Sequence, residues 1–127
     1  MPVAVAYKIL TVGQMRALEE DRFDGAPIDI ADGYIHLSTA EQVAGTLDAH
    51  FAGQDDLFLA AIDLKAAGEA VRWERSRGGA LFPHLYDTLT KAFVLASCPV
   101  TRDPAGAVML PGSSNGKERE NGGRGKD

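Results

Sequence analysis

Cysteine is nearly missing from this chain: Cys98 is the one thiol in 127 residues. Its scarcity excludes an intrachain disulfide and any metal site built from several cysteines, and Cys98 beside Val94 and Leu95 reads as a small core residue. The histidines are also few. His36, His50 and His84 lie far apart in sequence and form nothing like HExxH, so no metal is expected. Long apolar runs are lacking too: LFLAAI and AFVLASC fall far short of the roughly 20 residues that a membrane span requires. The leading MPVAVAYK has no basic flank and too short an apolar run for a secretory signal. A cytoplasmic protein without a membrane partner is the expectation. P-loop and GxSxG signatures are absent as well, because SRGGALF and NGGRG are glycine-containing loops without the strand and helix such motifs need.

An excess of positive charge is the next absence. Net charge is −5. Four of the 13 basic and three of the 18 acidic residues follow Pro111, which leaves 9 basic against 15 acidic residues before it. Duplex nucleic acid binds through phosphate contacts to Lys and Arg, so this balance argues against it as a partner.

What is present describes one folded domain. With 45% hydrophobic and 24% charged residues, residues 1–110 can bury a core, whereas PGSSNGKERENGGRGKD has no apolar residue after Pro111. Residues 111–127 are therefore expected to be a disordered tail. Oligomeric state is left open.

Periodicity places the elements. VAVAYKIL reads as a strand, and TVGQMRALEEDRF as a helix capped by Thr11 with Val12, Met15, Leu18 and Phe23 near helical spacing. DGAPIDIADG, with two Gly and a Pro, reads as a loop. YIHLS alternates as a strand, and both Ser38/Glu41 and Thr39/Gln42 fit a capping box for a second helix, whose stripe is Val43, Leu47 and Phe51 before a stop at Gly53. LFLAAIDL is apolar through six positions, the mark of a central strand covered on both faces. KAAGEA is a turn or single helical turn. VRWE, LFPHLY and AFVLASCPV complete a β-α-β-α-β-β-β-β order. Helices early and strands late predict an α+β fold, with a mixed or split antiparallel sheet and two main helices.

Candidate site residues fall in three stretches. In YIHLS, His36 shares a strand face with Tyr34 and Ser38, and a following helix start would favour an anion beside Ser38 and Thr39. In LFPHLY, His84 lies between Phe82 and Tyr86, a face suited to stacking a flat ligand while the imidazole handles a proton. In VRWERSRGG, Glu74 could hold a sugar hydroxyl and Arg75 or Arg77 a phosphate, with Trp73 on the opposite side of the strand. Each stretch also has a structural alternative: packed histidines, helix caps and a surface ion-pair cluster. His50, near a helix C-terminus, is read as structural.

Taken together, YKIL, DGYIHLSTAEQV, DLFLAAIDL, VRWERSRGGALFPHLY and the apolar strand after them resemble the bacterial family known as domain of unknown function 952, over roughly residues 6 to 101. That family in turn resembles the ADP-ribosyltransferase superfamily and its RNA 2′-phosphotransferases, which share an HVHLS-like strand, an apolar strand ending in Asp and a hydrophobic-Pro segment near a Tyr. The resemblance implies an ADP-ribosyltransferase-like fold, with NAD or another nucleotide-derived, phosphorylated small molecule as ligand. It also implies transferase or glycohydrolase chemistry. His36, Glu74 and His84 would be catalytic, with Glu74 facing an oxocarbenium-like centre. Lys8, Ser38, Thr39, Trp73, Arg75, Phe82 and Tyr86 would bind ligand. Tyr7-Lys8-Ile9 stands where the superfamily has a His-Gly pair, with Lys8 as a substitute phosphate contact. A non-catalytic nucleotide-binding module and a small protein-interaction domain are the alternative readings.

Overall fold

Strand LFLAAID organises the molecule. In the computed structural model, which describes residues 3–112, β3 (Leu57–Asp63) is the middle strand of an antiparallel sheet with β1 (Val5–Thr11) and β6 (Val94–Pro99) on either side. Its alternate residues enter two separate cores. Phe58, Ala60 and Ile62 face a cluster with Leu10, Met15, Leu18, Phe23 and Leu85, while Leu57 and Leu59 face Ile9, Val43 and Leu47. A strand covered on both sides has no polar face to give, which is why its sequence is apolar without alternation.

The second sheet is also antiparallel, in the order β2 (Ile35–His36), β5 (Leu81–Leu85), β4 (Val71–Arg75). The fold is therefore α+β with the split antiparallel arrangement. Among the described residues one backbone bridge joins the sheets: the Tyr7 N–H donates to Ser38 O at 2.7 Å and the Ser38 N–H to Tyr7 O at 2.9 Å.

α1 (Val12–Glu19) starts at Thr11 as expected. Thr11 Oγ1 accepts the Gln14 N–H and Gln14 Oε1 accepts the Thr11 N–H, a complete capping box. Met15 and Leu18 are buried, but Val12 is exposed and the helix stops before Phe23, which reaches the core from the following segment. DGAPIDIADG is not wholly a loop: α2 (Pro27–Asp32) lies inside it. Pro27 presets φ at the first position, Asp29 Oδ2 accepts the Ala26 N–H at 2.8 Å, and Gly33 ends the helix at φ 85° with its N–H on Asp29 O. Those local signals outweigh the turn-rich composition.

α3 (Val43–His50) starts later than either capping box implied. Ser38 cannot cap it because its backbone is used in the bridge to Tyr7, and its Oγ lies 2.9 Å from Thr46 Oγ1. Thr39 instead heads a turn in which its N–H donates to Gln42 Oε1 and its carbonyl accepts from Gln42 N and Val43 N. His36 therefore does not sit at a helix mouth. KAAGEA is helical, with α4 (Leu64–Ala67) capped by Asp63 and a 3-10 turn behind it. The tail expected from residue 111 lies outside the described residues beyond Gly112.

Candidate ligand-binding and acid–base site

Register brings the two distant histidines together. His36 on β2 is paired directly with His84 on β5, and His84 in turn with Arg72 on β4. Because side chains alternate across a strand, His36, Phe82, His84, Arg72 and Glu74 share one face, while Ile35 and Leu85 enter the core. The ring centroids of His36 and His84 are 5.4 Å apart. Tyr34 lies against both, stacked on His84 at 4.2 Å and tilted against His36 at 4.6 Å. Tyr86 stands 5.1 Å from Tyr34 and carries the Arg72 guanidinium 4.7 Å above its ring.

Each imidazole has its own carboxylate. His36 Nδ1 is 2.7 Å from Oδ1 of Asp29, a carboxylate only 3% exposed, and its Nε2 is 3.0 Å from Asp32 Oδ2. Asp29 also accepts the His36 N–H at 3.0 Å and the Lys8 ammonium, whose Nζ lies 2.9 Å from Oδ2. Burial alone would raise the Asp29 pKa, but the hydrogen bonds from His36 and the charge and hydrogen bond of Lys8 outweigh it and hold the carboxyl at about 2. Burial pushes Lys8 the other way, below the ordinary lysine value, with Asp29 opposing. Lys8, 5% exposed, has three oxygens within reach, two from Asp29 and the His36 carbonyl, which match the three donors of an ammonium group. Its charge is committed inside the protein, so Lys8 is not a free phosphate contact.

His84 is 2% exposed, and its Nδ1 lies 2.8 Å from Glu74 Oε1. The same oxygen accepts the Tyr86 hydroxyl at 2.8 Å. These hydrogen bonds, that from His84 first, lower the Glu74 pKa, and the bond to Glu74 raises that of Tyr86.

A cleft of about 540 Å³ opens beside the pair, within the range of small-molecule sites. His36, Ser38, Phe82 and His84 line one side, and Tyr7, Ile9, Thr11 and Lys8 of β1 line another. α3 and the residues after it contribute His50 and Phe51, so all three histidines of the chain reach this hollow. No carboxylate is among the described lining residues. The Tyr7 hydroxyl has a raised pKa from burial and the nearby Glu41 charge.

The remaining expected site residues are placed elsewhere. Glu74 and Tyr86 contact His84 and are not among the residues that line the cleft. Trp73 is on the other face of β4 and borders a separate hollow of about 420 Å³ with Leu64 and Lys65. Arg75 donates to its own loop at Gly79 O, Thr39 is used in the turn before α3, and the Arg77 side chain lies outside the described residues. Sequence reading missed Asp29, Asp32 and the cleft position of His50. Pro27 at the first helical position with Gly33 after the last was the signal that could have placed Asp29 on a helix facing His36.

Among the described residues no group of three or more His, Cys, Asp or Glu is arranged to hold a metal ion, and no helix is long and apolar enough to cross a membrane.

Fold and cleft together define a small α+β protein built around a paired-histidine hollow. The chain belongs to the family described as protein of unknown function DUF952, matched over residues 9–97. It is similar to protein CC0527 from Caulobacter crescentus: the crystal structure of that protein is 40% identical, with a TM-score of 0.73 over 83% of this chain and 93% of that chain. The solution NMR structure of CC0527 gives 38% identity and a TM-score of 0.69 over 89% of this chain and 96% of that chain. No curated protein matches the chain.

Proposed function

We propose that the cleft binds a nucleotide-derived small molecule, NAD or a relative of it, and that His36 and His84 move protons on that ligand in a transferase or glycohydrolase reaction. One observation carries this reading: two imidazoles, each backed by its own carboxylate, meet across neighbouring strands at 5.4 Å on the wall of one cleft. Pairs of titratable groups in differing surroundings are what acid–base catalysis uses. Here His36 is held between two aspartates, whereas His84 is buried with one glutamate and one tyrosine face. The ligand class is suggested by the likeness of YIHLS, LFLAAID and LFPHLY to stretches of ADP-ribosyltransferases. Glu74, standing behind His84, acts through that ring and not on an oxocarbenium centre directly.

Thermal-shift measurements with NAD, ADP-ribose and nucleotide phosphates test binding. A ligand at a hundred times its Kd adds about 2.7 kcal/mol to stability, enough to move Tm by several degrees. Nicotinamide release from NAD then tests turnover: it is expected in the parent and lost in H36Q and H84Q. Binding without release identifies a non-catalytic module, the alternative that Tyr7-Lys8-Ile9 favours by lacking the superfamily's His-Gly pair. No shift with any of these compounds refutes the ligand class.

A further inference from the structure

We infer that the cleft selects a ligand presenting an O–H or N–H donor to His84 Nε2, and that Glu74 and Tyr86 are the positioning residues that set this polarity. The inference rests on the cleft being a ligand site and says what that ligand must offer.

Glu74 Oε1 is approached by two groups at 2.8 Å, the Tyr86 hydroxyl and His84 Nδ1. An ionised carboxylate only accepts, so the proton in the second contact sits on Nδ1. In the neutral ring that leaves the lone pair on Nε2. Among the described residues this Nε2 has no hydrogen-bond partner, although the residue is 2% exposed and lines the cleft. A buried acceptor without a donor is a loss that a ligand's donor recovers.

The ring cannot evade this by turning over. Tyr34 stacks on one face at 4.2 Å with 24° between the planes, and His36 stands against it at 64°. A flip would exchange the 2.8 Å contact with Glu74 for a carbon. The neighbouring walls are apolar at Ile9 and Phe82, so the ligand part that suits this end of the cleft is an apolar body carrying a carboxamide or hydroxyl. An ester, ether or ketone at the same place puts a lone pair against a lone pair. A site built to hydrogen-bond one group discriminates strongly against the analogue without it.

Long-range proton–nitrogen correlation spectra of the histidine rings in the full nitrogen-15-labelled chain read the tautomer directly. For neutral His84 the Nδ1–H form is expected. In Glu74→Gln, whose amide carbonyl still accepts, it should persist; in Glu74→Leu, which has no acceptor, the Nε2–H form should appear. An Nε2–H ring in the parent, or an unchanged ring in Glu74→Leu, overturns the assignment. Nicotinamide and methyl nicotinate, which share a ring and differ in the amide N–H, then serve as probes. The His84 signals should respond to nicotinamide at a concentration tenfold lower or less, and Glu74→Leu should abolish that difference. Equal responses, or none to either probe, overturn the donor preference. Failure of NAD turnover with the tautomer intact would sink the proposed reaction and leave this polarity standing.

Discussion

Replacing Asp29 by Asn tests the centre of the site. The substitution keeps the shape and removes one charge, which leaves the Lys8 ammonium buried without a counter-ion and turns one of the two accepting oxygens, which between them take Lys8, His36 and the Ala26 N–H, into an amide donor. Breaking a buried pair in this way costs about 3–5 kcal/mol, a large share of the roughly 5–15 kcal/mol that holds a domain together. Removing the ammonium too, in K8M/D29N, should recover part of the loss because no uncompensated charge remains. The pH dependence gives a second, independent magnitude. Asp29 falls from 3.8 to about 2 in the folded protein, which corresponds to ~2 kcal/mol of stability. A depressed folded pKa makes that stability fully present above the unfolded value and lost as pH falls through the folded one, so the window runs from about pH 4 down to about pH 2. Urea denaturation of the parent and D29N at pH 7, 5, 3 and 2 should therefore show a difference that narrows by ~2 kcal/mol between pH 5 and pH 2. A D29N protein within ~1 kcal/mol of the parent at pH 7, or a difference that stays constant down to pH 2, would refute the reasoning.

Asp32→Asn probes the other partner of His36; with that side chain 43% exposed, the loss in urea denaturation should stay below ~1 kcal/mol. Leu59→Ala empties a position with no exposed surface in the central strand and should cost about 2–5 kcal/mol by the same measurement, with the slope unchanged. Gly33→Ala meets no atom within 4 Å but must hold φ 85°, so about 1–2 kcal/mol of backbone strain is expected and calorimetric Tm should fall accordingly.

Patterns that depend on short-range physics could be read from the chain. The central strand announced itself because burial on both faces leaves no polar alternation in LFLAAID, and α1 because Thr11 and Gln14 form a reciprocal cap. His36 and His84 stood out as imidazoles on alternating aromatic faces, and register made them neighbours. What escaped depends on long-range pairing. Ser38 looked like a helix cap since nothing local reveals that Tyr7, 31 positions earlier, takes its backbone. Asp29 looked like a loop acid because its partners, Lys8 and His36, are brought to it by two different sheets. Glu74 was assigned to the ligand as a carboxylate among arginines, because alternation within VRWE separates it from Trp73 but does not reveal that the strand register sets the His84 ring in front of it.

The seam between Tyr7 and Ser38 has its own mechanical meaning. Two amide hydrogen bonds are the described backbone link between the sheets, and the hollow is bounded by a strand from each, so its width is governed by how far that seam can part. An occupant gripping both walls would clamp the seam shut and slow solvent exchange at those two amides. Hydrogen exchange at residues 7 and 38 would thus act as a built-in gauge of occupancy, readable before any substrate has been named.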